Sequence, residues 1–480
     1  MAVPQHVGND RLADRRHWAR AVWPVALVWL IGLTSAAPPA PATDVAPPSG
    51  AENQVDPQET YELFRMLADA VDQIERNYVQ PISRRELIEA ALDGIVRKLD
   101  PHSSYIAPAA MEQFRRSVDS HYGGIGIQVD VQQGQLMVRG SMAGAPAYRA
   151  GLRAGDQILA IDGQSTDAMR LDEAIRRIKG PPGTHVPLSV RHAGANEVEQ
   201  IDLLREVIRI DTVLPARRRT GGTADFLLDP AQRIGYARIT VFSRDTPDEL
   251  ERVLVELREQ KLRGLVLDLR FNPGGLLSSA VRVADLFLAE GRIVTVTGRN
   301  AQRRDLEARK EGTYDGFPLV LLVNQYSASA SEILAACLQD HGRAVIVGQR
   351  TWGKGSVQNV IELEGGRSAL KITTSQYLRP NGQNIHRFPG AGDDDAWGVK
   401  PSQALAVPLS DQETSQLFRY YWHRDLMMLG RTDSAGKQNQ DTQPDDPAAP
   451  QPAADSAPQF VDRQLNKALT YLAAELARAD

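Results

Sequence analysis

A serine-rich run, Ser327-Ala328-Ser329-Ala330-Ser331-Glu332, joins the apolar stretch Leu319–Val323 to a helical pattern over Glu332–Leu338. A serine at that junction sits beside the free N–H groups of a helix start, which favour developing negative charge. Such a place suits a nucleophile whose attack on a carbonyl creates an oxyanion. Alone, however, Ser329 and Glu332 fit S-x-x-E, a helix capping box with no chemistry in it.

Two more segments bear on the choice. Thr351-Trp352-Gly353-Lys354-Gly355-Ser356-Val357-Gln358 holds a lysine between glycines, where the backbone is close and carboxylates are not obvious. Buried there, Lys354 loses solvation of its charged form and becomes a usable base. In a solvated loop it is only a surface charge. Gln358, four residues on, falls on the same side of a strand or helix and is placed to hold the amine. Asp268-Leu269-Arg270-Phe271-Asn272-Pro273-Gly274-Gly275 reads as a strand end, a Pro-Gly-Gly turn and a helix start. It exposes backbone N–H groups or is simply a turn. It lacks GxxxxGK[ST], which argues against nucleotide binding.

These turns need a scaffold. Gly264–Leu269, Leu319–Val323 and Ala344–Gly348 read as buried strands, and Leu276–Leu288 and Glu332–Leu338 as helices. Their alternation predicts a mostly parallel sheet with helical cover. Upstream, Leu63, Leu67, Val71, Ile74 and Tyr78 recur at helical spacing within a helical stretch reaching Met111. The turn Leu99-Asp100-Pro101-His102-Ser103-Ser104-Tyr105 interrupts that stretch. Residues 117–206 are short β-rich pieces punctuated by glycine, with a helix over Leu171–Ile178. There Tyr122-Gly123-Gly124-Ile125-Gly126-Ile127 and the Ala150–Gly163 segment resemble the carboxylate-binding loop and the AGLxxGDxIxxIdG stretch of PDZ domains. The resemblance implies capture of a peptide C-terminus by backbone N–H groups and by an added strand.

The 480 residues carry a net charge of −5 without a basic field, which argues against nucleic-acid binding. One cysteine, Cys337, precludes a disulfide within the chain and reads as a small buried residue. The nine histidines show no metal-ligand spacing, and no metal or cofactor is expected. Arg11, Arg15, Arg16 and Arg20 precede the apolar run Ala21–Ala37, the pattern of a signal peptide or signal anchor over residues 1–37. The chain is therefore expected in the periplasm or cell envelope, touching the inner membrane only through that segment if it is uncut. Residues 38–56 read as a linker, 57–116 as a helical N-terminal region, 117–206 as the PDZ-like domain and 207–430 as the α/β core. Residues 431–458, rich in Gln, Asp, Pro and Ala, read as a disordered linker. Residues 459–480 read as an amphipathic helix (Val461, Leu465, Leu469, Leu472, Leu476) that docks on a partner or on its own chain.

The three turns, in this order behind a PDZ-like domain, resemble the carboxyl-terminal processing proteases (tail-specific proteases, peptidase family S41). So do the Leu99–Tyr105 turn, Tyr377–Gly382 and Gly398–Pro401, and the likeness covers about Tyr61 to Pro401. It implies a crotonase-like α/β core with a β-rich cap, in an α/β multidomain chain with a helical N-terminal segment, a PDZ domain and a C-terminal helix. It also implies a serine endopeptidase in which Ser329 is the nucleophile, Lys354 the base and Gln358 its companion. The N–H groups of Gly275 and Ala330 are the oxyanion donors, and Trp352 supplies an apolar wall. The implied partners are protein or peptide substrates with free C-termini, held at Tyr122, Gly123, Gly124, Ile125, Gly126 and Ile127. An adaptor protein and a homo-oligomer through the N- or C-terminal helices are compatible with it. Three other readings stand beside it: a Ser-His-Asp enzyme using His341 or His386, a non-catalytic PDZ scaffold, and a crotonase-like acyl-CoA enzyme.

Overall fold

The computed structural model describes residues 56–118, 121–142, 144–209, 211–218, 224–430 and 460–479. The export segment and both linkers lie outside the described residues, apart from Asp56.

Asp56 accepts a hydrogen bond from the Gln58 N–H (2.9 Å) and starts α1 (Pro57–Asn77). Ser83 and Glu86 form a complete capping box for α2 (Arg84–Arg97). The apolar stripe of α1 forms as expected, but only Val71 is buried; Leu63, Leu67, Ile74 and Tyr78 face solvent. The helical stretch then breaks at the Asp100 turn. A short strand, β1 (Ser104–Ile106), leaves the N-terminal region before α3 (Pro108–Val118).

The second domain contains β2 (His121–Gly124), β3 (Ile127–Gln132), β4 (Gln135–Ser141), α4 (Pro146–Arg149), β5 (Gln157–Ile161) and β6 (Gln164–Ser165). It continues with α5 (Leu171–Ile178), β7 (His185–Arg191), β8 (Glu199–Leu204) and β9 (Glu206–Arg209). Its sheet runs β3-β4-β5-β7-β8, antiparallel throughout, and β2 pairs with β9 to close the domain. Alternate residues point inward, as Val186, Leu188 and Val190 do along β7.

The core adds β10 (Val213–Pro215), β11 (Arg217–Arg218), β12 (Ala224–Asp225), β13 (Leu227–Asp229), β14 (Ile234–Ile239), α6 (Thr246–Glu259), β15 (Gly264–Asp268) and α7 (Leu277–Asp285). Then follow β16 (Arg292–Gly298), β17 (Ala301–Glu307), β18 (Leu319–Val323), α8 (Ala330–Asp340), β19 (Ala344–Gly348), β20 (Ser356–Leu363), β21 (Ser368–Leu378) and α9 (Asp411–Gly430). The last described helix is α10 (Arg463–Ala479). One sheet runs β10-β14-β15-β18-β19, with β14, β15, β18 and β19 parallel. Leu265, Leu267, Leu321 and Val323 pack under α6, α7 and α8. Val266, Val320, Leu322 and Val347 face the other way, against Ala468, Leu472 and Leu476 of α10. Cover on both faces explains why β14, β15 and β18 are buried at every position. The tail helix thus docks on its own chain. Val461 stays exposed, and the buried stripe includes Gln464 and Ala468. A second sheet, β1-β21-β16-β17 with β20 on β21, forms the β-rich layer beside the parallel sheet.

Candidate active site

The turns singled out above follow β15, β18 and β19, three neighbouring strands of one parallel sheet. Parallel strands end on the same side, so residues far apart in sequence converge there. The observed helices are offset from their expected spans: α7 covers Leu277–Asp285 and α8 covers Ala330–Asp340.

Ser329 is the residue immediately before α8 and is completely buried. Its backbone takes φ 56° and ψ −111°, a left-handed conformation that costs a non-glycine residue about 1–3 kcal/mol. The capping arrangement is present but loose at its hydroxyl. Glu332 accepts from the Ser329 N–H (2.8 Å) and the two residues sit as a capping box, while Ser329 Oγ makes no cap hydrogen bond of full geometry. A buried hydroxyl left unmatched costs stability and is available to react. Tyr377, fully buried, neighbours it: burial pushes the phenol above its ordinary range, and the Ser329 hydroxyl pulls the other way.

Glu332 ties this turn to the lysine turn. Its carboxylate also accepts from Thr351 Oγ1 (2.6 Å), the Gly353 N–H (2.6 Å) and the Lys354 N–H (2.8 Å). Burial pushes its carboxyl above the ordinary range, against those hydrogen bonds. The Trp352 N–H donates to the Ser327 carbonyl (3.0 Å), a second link between the turns. The sequence signal for Glu332 was present, but it read only as a cap. Trp352 itself is 54% exposed.

Lys354 is 3% exposed. Burial brings its amine down to about 7; Lys371 adds to the shift, while Glu332 and Asp100 oppose it. Gln358 is buried on β20, but Lys354 lies ahead of that strand in the loop, so the same-side argument from spacing does not apply. The Gln358 Nε2 donates to Ser356 Oγ (2.9 Å) and Thr373 Oγ1 (3.0 Å).

The third turn is held against the first by Asn272. Its Nδ2 donates to the Ile239 carbonyl (2.8 Å), and its Oδ1 accepts from the Gly274 N–H (2.8 Å). The Asn272 carbonyl accepts from the Ala328 N–H (3.0 Å) and Ser331 Oγ (3.0 Å). A Cβ at Gly274 would lie 2.9 Å from Ser329 Cβ and 3.0 Å from Ala330 N, so the two turns touch where the donors would be. The Gly274 N–H is committed to Asn272, which makes Gly275 the donor candidate of this turn. Gly275 has φ 147°, and a Cβ there would collide with the Phe242 carbonyl; only glycine fits. Arg270, fully buried, anchors the turn from behind through Asp268 (2.7 Å) and Asp462 (2.8 Å), the latter from the segment leading into α10.

Of the histidines weighed for a triad, His341 caps the far end of α8, away from Ser329. His386 lies near Lys354, which together with burial lowers its imidazole. Cys337 is buried, and burial raises its thiol. Among the described residues no cluster of three or more His, Cys, Asp or Glu side chains is placed to hold a metal.

In the second domain a groove lies between β3 and α5. Tyr122, Ile125, Gly126 and Ile127 line it with Val129, Ile175, Ile178 and Lys179. Gly123 and Gly124 pair with Val207 and Glu206 of β9. Lys179 places its ammonium 4.3 Å from the Tyr122 ring centroid.

Three family models match successive parts of the chain. The model of peptidase family S41 matches residues 233–401, that of the PDZ domain 137–192, and that of the activating protease CtpB N-terminal domain 40–109. A carboxy-terminal-processing protease of Bartonella bacilliformis is 35% identical over 362 residues, 74% of this chain and 78% of its own. A carboxyl-terminal-processing protease of Synechocystis sp. is 35% identical over 338 residues, 70% of this chain and 75% of its own. The solved photosystem II D1 C-terminal processing protease is 27% identical, covering 76% of this chain and 97% of its own, with a TM-score of 0.42.

Proposed function

This chain belongs to the carboxy-terminal processing serine proteases of peptidase family S41, and from that premise we propose that it is a Ser–Lys endopeptidase of the cell envelope that selects substrates by their C-terminal tails. Membership disposes of the scaffold and acyl-CoA readings. The observation that carries the dyad is the pairing of two buried groups across one carboxylate. Ser329 is fully buried on a strained backbone, the Lys354 amine is brought to about 7, and Glu332 holds both turns.

In the proposed reaction neutral Lys354 takes the Ser329 proton as Oγ attacks the scissile carbonyl. The Gly275 and Ala330 N–H groups receive the oxyanion. Lys354 then protonates the leaving amine and activates the water that hydrolyses the acyl-enzyme. The groove at Ile125–Ile127 takes the substrate tail as an added strand, with its apolar wall facing an apolar last residue. The signal-like pattern over residues 1–37 supports a location outside the cytoplasm for this chemistry.

The test is cleavage of an unstructured substrate with an apolar C-terminus by the full chain, beside Ser329→Ala and Lys354→Ala. Each substitution is expected to reduce kcat by about 10⁴-fold or more. Parental turnover by either variant would overturn its role. Unchanged cleavage of the same substrate carrying an acidic C-terminus would overturn the tail reading.

A further inference from the structure

The segment that enters α10 reaches the active site from behind. Asp462 stands immediately before the helix, and its Oδ1 accepts from the Leu465 N–H (3.0 Å), as a helix start requires. The same carboxylate meets Arg270 with both oxygens: Oδ1 accepts from Nη1 (2.8 Å) and Oδ2 from Nη2 (2.8 Å). Gln464, fully buried, gives Nη1 a second acceptor at Oε1 (3.2 Å). Nη1 thus takes both of its acceptors from the tail. Asp268 serves Nε (3.0 Å) and Nη2 (2.7 Å), and the Tyr421 hydroxyl also accepts from Nη2. Tyr421 and Tyr236 in turn donate to Asp268 Oδ2 (2.6 and 2.8 Å). The guanidinium is completely buried, so an N–H left unmatched there carries its full desolvation penalty.

Arg270 leads directly into the strained part of the Pro-Gly-Gly turn. Phe271 has φ 61°, a left-handed backbone that persists only where the surroundings over-determine it. Those surroundings belong to the same cluster. The Phe271 N–H donates to Asn324 Oδ1 (3.1 Å), and its ring lies against Tyr326, Phe418 and Tyr421 (centroids 5.5, 5.5 and 6.1 Å apart). Tyr421 therefore holds Arg270 by its hydroxyl and Phe271 by its ring. Gln464 reaches the lysine side too: its Nε2 donates to the Val407 carbonyl (2.9 Å), and the Val407 N–H donates to the Gly348 carbonyl at the end of β19 (2.8 Å). Covering the sheet requires none of this. Ala468, Leu472 and Leu476 already do so with apolar side chains, and a buried ion pair adds little net stability over apolar packing.

We propose that Asp462 is a positioning residue for the oxyanion hole: through Arg270 it holds the Phe271–Gly275 turn in the geometry that aims the Gly275 N–H at the developing oxyanion. The tail beyond the second linker is then a working part of the active site as well as a cover for the sheet. This inference rests on the proposal that Ser329 attacks and Gly275 receives the oxyanion.

The test measures kcat, KM and melting temperature of the full chain with Asp462→Asn, Gln464→Met and Leu472→Ala, with kinetics taken well below each melting transition. It also measures affinity for a peptide boronate, which forms a tetrahedral adduct on a serine nucleophile with one oxygen in the oxyanion position, and for the product peptide. Asp462→Asn keeps a cap acceptor for α10 but loses the two-pronged charge pair. It is expected to lower kcat roughly tenfold to a hundredfold with KM within about twofold. Boronate affinity should fall by the same factor while the product peptide binds as before, because only the tetrahedral state uses the Gly275 N–H. Leu472→Ala opens a cavity under α10 away from Arg270; it should lower the melting temperature and leave kcat within about twofold. Parental kcat in Asp462→Asn, boronate and product affinities that fall together, or a loss of kcat in Leu472→Ala equal to that in Asp462→Asn would each overturn the proposal. Should Asp462→Asn fail to fold, Gln464→Met decides alone: about a threefold to tenfold loss in kcat and in boronate affinity, with the product peptide unaffected, supports it, and parental values overturn it. Parental turnover by Ser329→Ala would instead overturn the nucleophile on which the inference rests, so the two failures are distinguishable.

Discussion

Ser83 and Ser329 each stand three residues ahead of a glutamate at a helix start, and the fold uses them in opposite ways. At α2 the exposed Ser83 has φ −80° and ψ 146°, and its hydroxyl accepts from the Glu86 N–H (3.2 Å). Ser410 and Glu413 repeat that arrangement at α9. The hydrogen bonds there hold Glu86 below the ordinary carboxylate range and, with one more from Arg463, take Glu413 to about 2. At α8 the serine backbone is left-handed, its hydroxyl makes no cap hydrogen bond of full geometry, and burial pushes Glu332 the other way. One local pattern therefore ends as an exposed helix start twice and as a fully buried one once. What differs is the surroundings. Around α8 the chain supplies three further donors to the glutamate and buries the serine among Gly274, Ala330 and Tyr377.

The largest effect that separates the two uses is expected from matched substitutions of the glutamates. Glu332→Gln loses a buried acceptor of four hydrogen bonds and lets the serine and lysine turns part; kcat should fall by about a hundredfold or more, with a lower melting temperature. Glu86→Gln should leave turnover unchanged and shift melting only slightly. Equal outcomes in activity assays and thermal melts would erase the distinction.

The pH profile sharpens it next. A base must be neutral, so kcat/KM should rise with pH and level off above about 7, the value for Lys354. Below that limb it should fall about tenfold per pH unit. Lys371 helps keep the lysine low, so Lys371→Met should move the limb to higher pH. A flat profile from pH 5 to 9 would contradict the assignment.

The smallest effect lies at the ordinary cap. Ser83→Ala should cost about 1 kcal/mol in denaturant unfolding and leave kcat at the parental value. An effect of that size at Ser329→Ala, with turnover retained, would make the two serines equivalent after all.

Much of this was legible from the chain because residue type and spacing carried it. The buried strands, the glycine-punctuated second domain and the three turns follow from runs of apolar residues broken by Gly, Pro and Ser. Other features were not local. The stripe on α1 was read correctly as a pattern, yet periodicity does not say what covers a face, and most of it faces solvent. The tail helix was equally readable as a docking element or a self-packed one until α10 lay on the back of β15 and β18. Gln358 was singled out for a spacing argument that the loop before β20 does not support; what places it is its cross-strand neighbour Thr373. Asp100 was visible only as part of a polar turn.

The sequence by itself determined where the chain could turn, which strands had to be buried, and that a serine, a lysine and a Pro-Gly-Gly turn would follow strand-like runs. It could not decide whether Ser329 caps an exposed helix start or is sealed into a buried turn, because both readings satisfy the same four residues. Tertiary structure decided that by ending β15, β18 and β19 side by side and sealing Glu332 among four donors. The reason is physical: desolvation and hydrogen-bond competition depend on what surrounds a group, and those surroundings come from segments far away in the chain.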